Sequence, residues 1–162
     1  MFHSTGVEEL RQALFTADAE TLREGFHYTL KRENYTPPEK HSIAPAMILD
    51  EENPGTADVS PATDGQSFMG QYFIPAFGIY WGGGRVAAAG IHRIFPDLIE
   101  IGVETREAHQ KKGYGLAVVA AAAEWVLAQG ALPYYRAFPT NIGSVKIARR
   151  LGFRLTWQNI YA

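Results

Sequence analysis

The stretch that most constrains the fold is the six-residue turn Gln110-Lys111-Lys112-Gly113-Tyr114-Gly115. The apolar run before it, Asp97 to Thr105, reads as a strand, and Leu116 to Leu127 after it reads as a helix. The turn is therefore a strand-to-helix connection with glycines at its mouth. The first amides of a helix have no internal acceptor, and the helix dipole adds partial positive charge there. Such a helix mouth suits an anion, most often a phosphate. Gly113 and Gly115 lack a Cβ, so a ligand can reach the backbone, and Lys111 and Lys112 add two cations. Taken alone, a short glycine pattern is equally a tight loop with glycines for geometry, so the rest of the chain decides.

A length of 162 residues fits one domain, 1–162, with a sizeable core. Within it we expect a helical N-terminal part, 1–66, and a core, 76–162. The net charge of −2 gives no bulk attraction to nucleic acid. The absence of cysteine excludes disulfides, a thiolate nucleophile and a thioester intermediate on the enzyme. The histidines His3, His27, His41, His92 and His109 are scattered without the i, i+4 spacing of a helical metal site. They read as surface or ordinary hydrogen-bonding residues, and no metal is expected. No stretch is long and apolar enough to span a membrane, and the N-terminus lacks a signal pattern. The expected setting is cytoplasmic, without a membrane partner.

Val7–Phe15 has helical spacing at Leu10 and Leu14, and Ala19 to about Lys31 repeats it at Leu22, Phe26 and Leu30, with Asp18 as N-cap. Pro37-Pro38 forbids helix. Ala46–Leu49 is a short strand candidate. Residues 50–66 are polar and rich in turn formers, so a mobile loop is expected. Ala76–Trp81 and Arg85–Ile91 form a hairpin turned by Gly82-Gly83-Gly84. That glycine run is a poor phosphate loop, because it joins two strands and no Lys-Ser/Thr pair follows. After the long helix Gly130 suits the C′ position. Then come a strand, Leu132–Phe138, a short helix opened by Pro139-Thr140-Asn141 and stopped at Gly152, and a last strand, Phe153–Tyr161. The first half contains no βαβ unit, so the fold class is a mixed α/β sheet, mostly antiparallel and flanked by helices, not a doubly wound one.

Two motifs now stand in order: Q-x-x-G-x-G at Gln110–Gly115, and Asn141-x-x-Ser144 followed by Leu151-Gly152-Phe153. In this order and spacing, over roughly residues 76 to 157, the chain resembles the GNAT superfamily of N-acetyltransferases. The resemblance implies a central sheet splayed between its fourth and fifth strands and acetyl-CoA as co-substrate. It places the pyrophosphate on Gln110, Lys111, Lys112, Gly113, Tyr114, Gly115 and Leu116. The pantetheine arm would run along Val103, Glu104 and Thr105, where a bulge would open the slot. Asn141 would contact the arm from the other wall with Ser144 close by. Read from the residues alone, both also suit helix capping.

The implied chemistry is direct attack of a primary amine on the thioester carbonyl. It needs a neutral amine, a polarised carbonyl and a proton for the departing thiolate. Backbone N–H near Glu104 or Thr105 is the candidate for polarisation. Glu100 and Glu104, on one face of a regular strand, are the candidate bases. Many family members carry a tyrosine where this chain has Ala148, so the acid is Ser144, Tyr161 or water, or the thiolate leaves unaided. Gln110 stands where arginine is common, with Lys111 and Lys112 to compensate. Only ten residues follow Gly152, room for one strand where the family often has a hairpin. The last edge is then open or completed by a partner subunit, which would make a homodimer. Tyr80, Trp81, Tyr134, Tyr135 and Trp157 stand on strands near the cleft, most as core and one or two lining the acceptor pocket. The acceptor is a small-molecule or peptide amine of unstated identity, its pocket built from the first two helices, the 50–66 loop and the final strand. The alternatives are another acyl-CoA or a non-catalytic CoA-binding regulatory domain.

Overall fold

The computed structural model describes residues 23–39, 47–49, 76–81 and 84–161. It contains the strands β1 (Arg23–Thr29), β2 (Met47–Leu49), β3 (Ala76–Trp81), β4 (Gly84–Phe95), β5 (Leu98–Thr105), β6 (Leu132–Ala137) and β7 (Arg154–Tyr161). Two helices join them, α1 (Tyr114–Ala128) and α2 (Ile142–Leu151). The seven strands form one mixed sheet in the order β2-β3-β4-β5-β6-β1-β7. Among the described strands only β5 and β6 pair in parallel, joined through α1 as a parallel crossover requires. The expected helix over 7–15 and the 50–66 loop lie outside the described residues, as do Gly82 and Gly83 of the hairpin turn.

One expected element is a different one. Residues 23–29, the larger part of the helix expected from Ala19 to Lys31, are strand β1. Leu22, Phe26 and Leu30 do sit at helical spacing, but Phe26, Tyr28 and Leu30 also alternate, and the sheet uses that period. Tyr28 and Leu30 are buried with Phe26 packed beside them, while His27 faces the other way, toward Tyr134. Pairing on both sides, with β6 and with β7, outweighs the local preference. The final strand, β7, is an end strand of the sheet. The place beside β6 is filled by the chain's own β1, with β7 paired beyond it.

Alanine-rich α1 packs on β3, β4 and β5 and buries residues on nearly every side, among them Val118, Val119, Ala122 and Val126. Its end is fixed by Gly130 at φ 73°, with Ala131 N–H donating to Val126 O at 3.3 Å, as in a Schellman turn. Arg32 donates to Leu127 O at 2.5 Å, meeting another orphan carbonyl. The segment after β1 also clasps α2, where Thr36 N–H donates to Leu151 O at 3.1 Å.

Gly152 ends α2 at φ 89°, and a Cβ there would lie 1.8 Å from the Asn34 carbonyl oxygen. Any side chain must move backbone as well as strain φ. We expect Gly152→Ala to lose at least about 3 kcal/mol in urea denaturation. A loss below about 1 kcal/mol, the cost of the left-handed φ alone, would show that the Asn34 segment swings away freely.

Candidate active site

The parallel register runs Leu98↔Leu132, Ile99↔Pro133, Glu100↔Tyr134 and stops there, although β5 continues to Thr105 and β6 to Ala137. The two strands part beyond Glu100 and leave a slot. The expected bulge does not cause it. β5 stays in unbroken register with β4 from Ile99 to Thr105, and the one shift in that ladder lies between Arg93 and Phe95, at the far end.

The direction of the free amides follows from one hydrogen bond. Arg106 N–H donates to Val86 O at 2.9 Å, towards β4. Backbone groups alternate along a strand, so Glu104 also faces β4, whereas Val103 and Thr105 face the slot. Of the two amides offered for carbonyl polarisation, Thr105 is thus the one turned to the slot. The Gln110 side chain donates to Thr105 O at 3.4 Å, linking the slot to the turn.

At the turn, Gly113 is the N-cap of α1 with φ 84°, and Lys111 also has positive φ, 60°. The first i→i−4 bond is Ala117 N–H to Gly113 O at 3.1 Å, which leaves Tyr114, Gly115 and Leu116 as orphan donors. Gly115 serves a different need. A Cβ there would meet Ile147 Cδ1 and Thr105 Oγ1, both at 3.2 Å, so glycine lets the mouths of α1 and α2 close around the end of β5. Lys111 and Lys112 are exposed beside them.

Asn141 is the N-cap of α2, its Oδ1 accepting from Ser144 N–H at 3.1 Å. Its Nδ2 donors are not used in that bond. Tyr135, on the helix side of β6, buries its hydroxyl next to Ser144 without a hydrogen bond of full geometry. Burial pushes this hydroxyl up to about 12, with Ser144 pulling weakly the other way. Ala148, at the family's tyrosine position, is fully buried.

The other face of the sheet holds the carboxylates. Glu100 is 8% exposed, with Arg136 Nη2 3.6 Å from one oxygen and His92 Nδ1 3.4 Å from the other. Glu104 shares that face two repeats further on. Ser144 lies on the helix side, so the three candidate catalytic residues are not brought together. The Tyr161 side chain lies outside the described residues. Among the described residues no group of three His, Asp or Glu is placed to hold a metal, and no helix is long and apolar enough to cross a membrane.

Of the two readings given to the histidines, surface or hydrogen-bonding, His27 takes the second. It is 4% exposed, bonded through Nδ1 to the Tyr134 hydroxyl at 2.5 Å and through Nε2 to Asn159 Oδ1 at 2.6 Å. Trp157 is stacked on both rings, at centroid distances of 4.7 Å and 5.4 Å. Of the five aromatic residues singled out, Tyr134 and Trp157 line this face and Tyr135 belongs to the core. The alternation Phe26-His27-Tyr28 was the available signal, hidden by the helical spacing around it.

A mixed sheet whose parallel pair parts between two helix mouths defines a GNAT-like fold. The chain matches the family model described as GNAT acetyltransferase over residues 75–159, just over half its length, and belongs to that family. No curated protein matches it. Among solved structures it is similar to a putative acetyltransferase of the GNAT family from Novosphingobium aromaticivorans, with 19% identity over 87% of this chain and a TM-score of 0.65. It is also similar to a GCN5-related N-acetyltransferase from Kribbella flavida, 22% identical over 83% of this chain with a TM-score of 0.64. A GNAT-family acetyltransferase from Colwellia psychrerythraea is 16% identical over 94% of this chain, with a TM-score of 0.63. The chain spans 63%, 55% and 60% of these three structures in turn.

Proposed function

We propose that this chain transfers an acetyl group from acetyl-CoA to a primary amine by direct attack. One juxtaposition carries the reading: the slot lined by the Val103 and Thr105 amides leads to the orphan amides of α1 within a few residues of chain. An extended amide-bearing arm ending in a diphosphate fits both parts at once. Asn141 and Ser144 stand at the mouth of α2, on the same side of the sheet. A cavity of about 160 Å³ beside Leu116, lined also by Pro37, Pro38 and Arg150, offers a seat for the nucleotide end. The acceptor enters from the opposite face, where Glu100 is the base that takes a proton from the amine. The acceptor is a small-molecule or peptide amine, and the setting is cytoplasmic.

Calorimetry with acetyl-CoA tests this reading. We expect saturable binding in the micromolar range, about −8 kcal/mol at 1 μM. No heat at high micromolar protein would end the proposal. Comparing acetyl-, propionyl- and succinyl-CoA turnover fixes the acyl group. Buried Ala148 favours a second reading, a CoA-binding regulatory domain. It requires binding without thiol release across a broad amine panel.

A further inference from the structure

The hydrogen bonds around His27 fix its protons. Asn159 Oδ1 can only accept, so Nε2 carries a hydrogen and donates. In the neutral ring Nδ1 is then a lone pair, and it accepts the Tyr134 O–H. The two ring planes are parallel to within 4°, with centroids 5.8 Å apart. Trp157, 41% exposed, covers both. Tyr134 is also the last residue of β6 in register with β5, opposite Glu100, at the vertex where the slot opens. Its side chain therefore shares the face of the sheet that holds Glu100, with His27 as the partner of its hydroxyl.

We propose that Tyr134 and His27 form a proton relay that serves the amine on the acceptor face. This rests on the acyltransfer reading above and adds to Glu100. Two protons must leave an ammonium acceptor. Glu100 takes the first, which gives the neutral amine. As the C–N bond forms and the C–S bond breaks, the nitrogen sheds the second to the Tyr134 oxygen, and the Tyr134 proton passes to His27 Nδ1. The resulting imidazolium is held by Asn159 Oδ1, which still accepts from Nε2–H. The thiolate then takes the proton from Glu100, and His27 returns its own to water, so charge and atoms balance. Among the described residues, the charged or titratable groups on this face include Glu100 and Glu104 from β5, His92 from β4 and Arg136 from β6, while the β7 residues in contact with His27, Trp157 and Asn159, are neutral.

His27→Gln is the decisive variant. A glutamine amide can accept from Tyr134 and donate to Asn159, so a structural role survives, but it cannot take up a proton. With acetyl-CoA, a panel of primary amines and thiol release as readout, we expect kcat to fall about 100-fold with KM for acetyl-CoA unchanged. Asn159→Asp sets a carboxylate on Nε2–H and favours the imidazolium, so the acid limb of the rate should move to higher pH. Wild-type kcat in His27→Gln, or an unmoved limb in Asn159→Asp, overturns the relay. A readout independent of turnover is the two-bond ¹H–¹⁵N spectrum of histidine-labelled protein, where His27 should show a hydrogen on Nε2 alone. A hydrogen on Nδ1 overturns the relay. No thiol release from the wild type with any amine would strike the acyltransfer reading instead.

Discussion

Gly113→Glu is expected to weaken CoA binding by at least about 100-fold in calorimetry, while the protein stays folded. Two effects combine. Gly113 caps α1 at φ 84°, a conformation that costs a residue with a Cβ about 1–2 kcal/mol. No atom lies within 4 Å of a Cβ built there, so the side chain extends into the open space before the helix mouth and sets a negative charge beside the diphosphate. At about 4 Å and an effective dielectric near 20, each like-charge pair costs about 4 kcal/mol, less the screening by salt at an exposed turn. Gly113→Ala carries the backbone cost without the charge and should lose about 10-fold. Gly113→Asn, which tolerates the left-handed region, should stay nearest to wild type. Glutamate binding as well as alanine would mean that the phosphates lie elsewhere.

The second half of the chain was legible because its signals are local. Gly113, Gly130 and Gly152 all take positive φ at helix ends, and Asn141 caps α2 as its place before Ile142 suggests. Such features depend on a few adjacent residues and survive any tertiary context. The slot was legible through the family resemblance, but not its cause, since the parting follows from where β6 stops pairing, a non-local event. β1 was misread for the same reason. Its apolar residues fit both periods, and the choice is made by strands more than a hundred residues away in sequence: Phe26 meets Ala137 and Gln158. With β1 misplaced, the partner of Tyr134 could not be foreseen. The face that carries His27 and Tyr134 thus depends on pairing between distant segments, and single-segment patterns carry little of that information.

Glu100→Gln tests the base. The amide keeps the shape and can still accept from Arg136, but it cannot take a proton. We expect kcat to fall about 100-fold with affinity for acetyl-CoA unchanged, and the pH–rate limb belonging to the base to disappear. A rival account makes Glu100 only a counter-charge. It is 8% exposed, with Arg136 and His92, both half-exposed, at its two oxygens, and leaving a carboxylate's cationic partner alone at such a site has a cost of its own, reduced by solvent screening. The two accounts separate in the double variant Glu100→Gln/Arg136→Gln. If the carboxylate only balances the guanidinium, deleting both charges restores most of the activity and stability lost in the single variant. If it is the base, stability recovers but turnover does not, because no neutral amide replaces a proton acceptor. Because Glu100 and the Tyr134–His27 pair take different protons, the base variant should leave the pH limb governed by His27 in place, although Glu100 and Tyr134 are register partners. Loss of both limbs together would mean that the carboxylate and the Tyr134–His27 pair titrate as one unit.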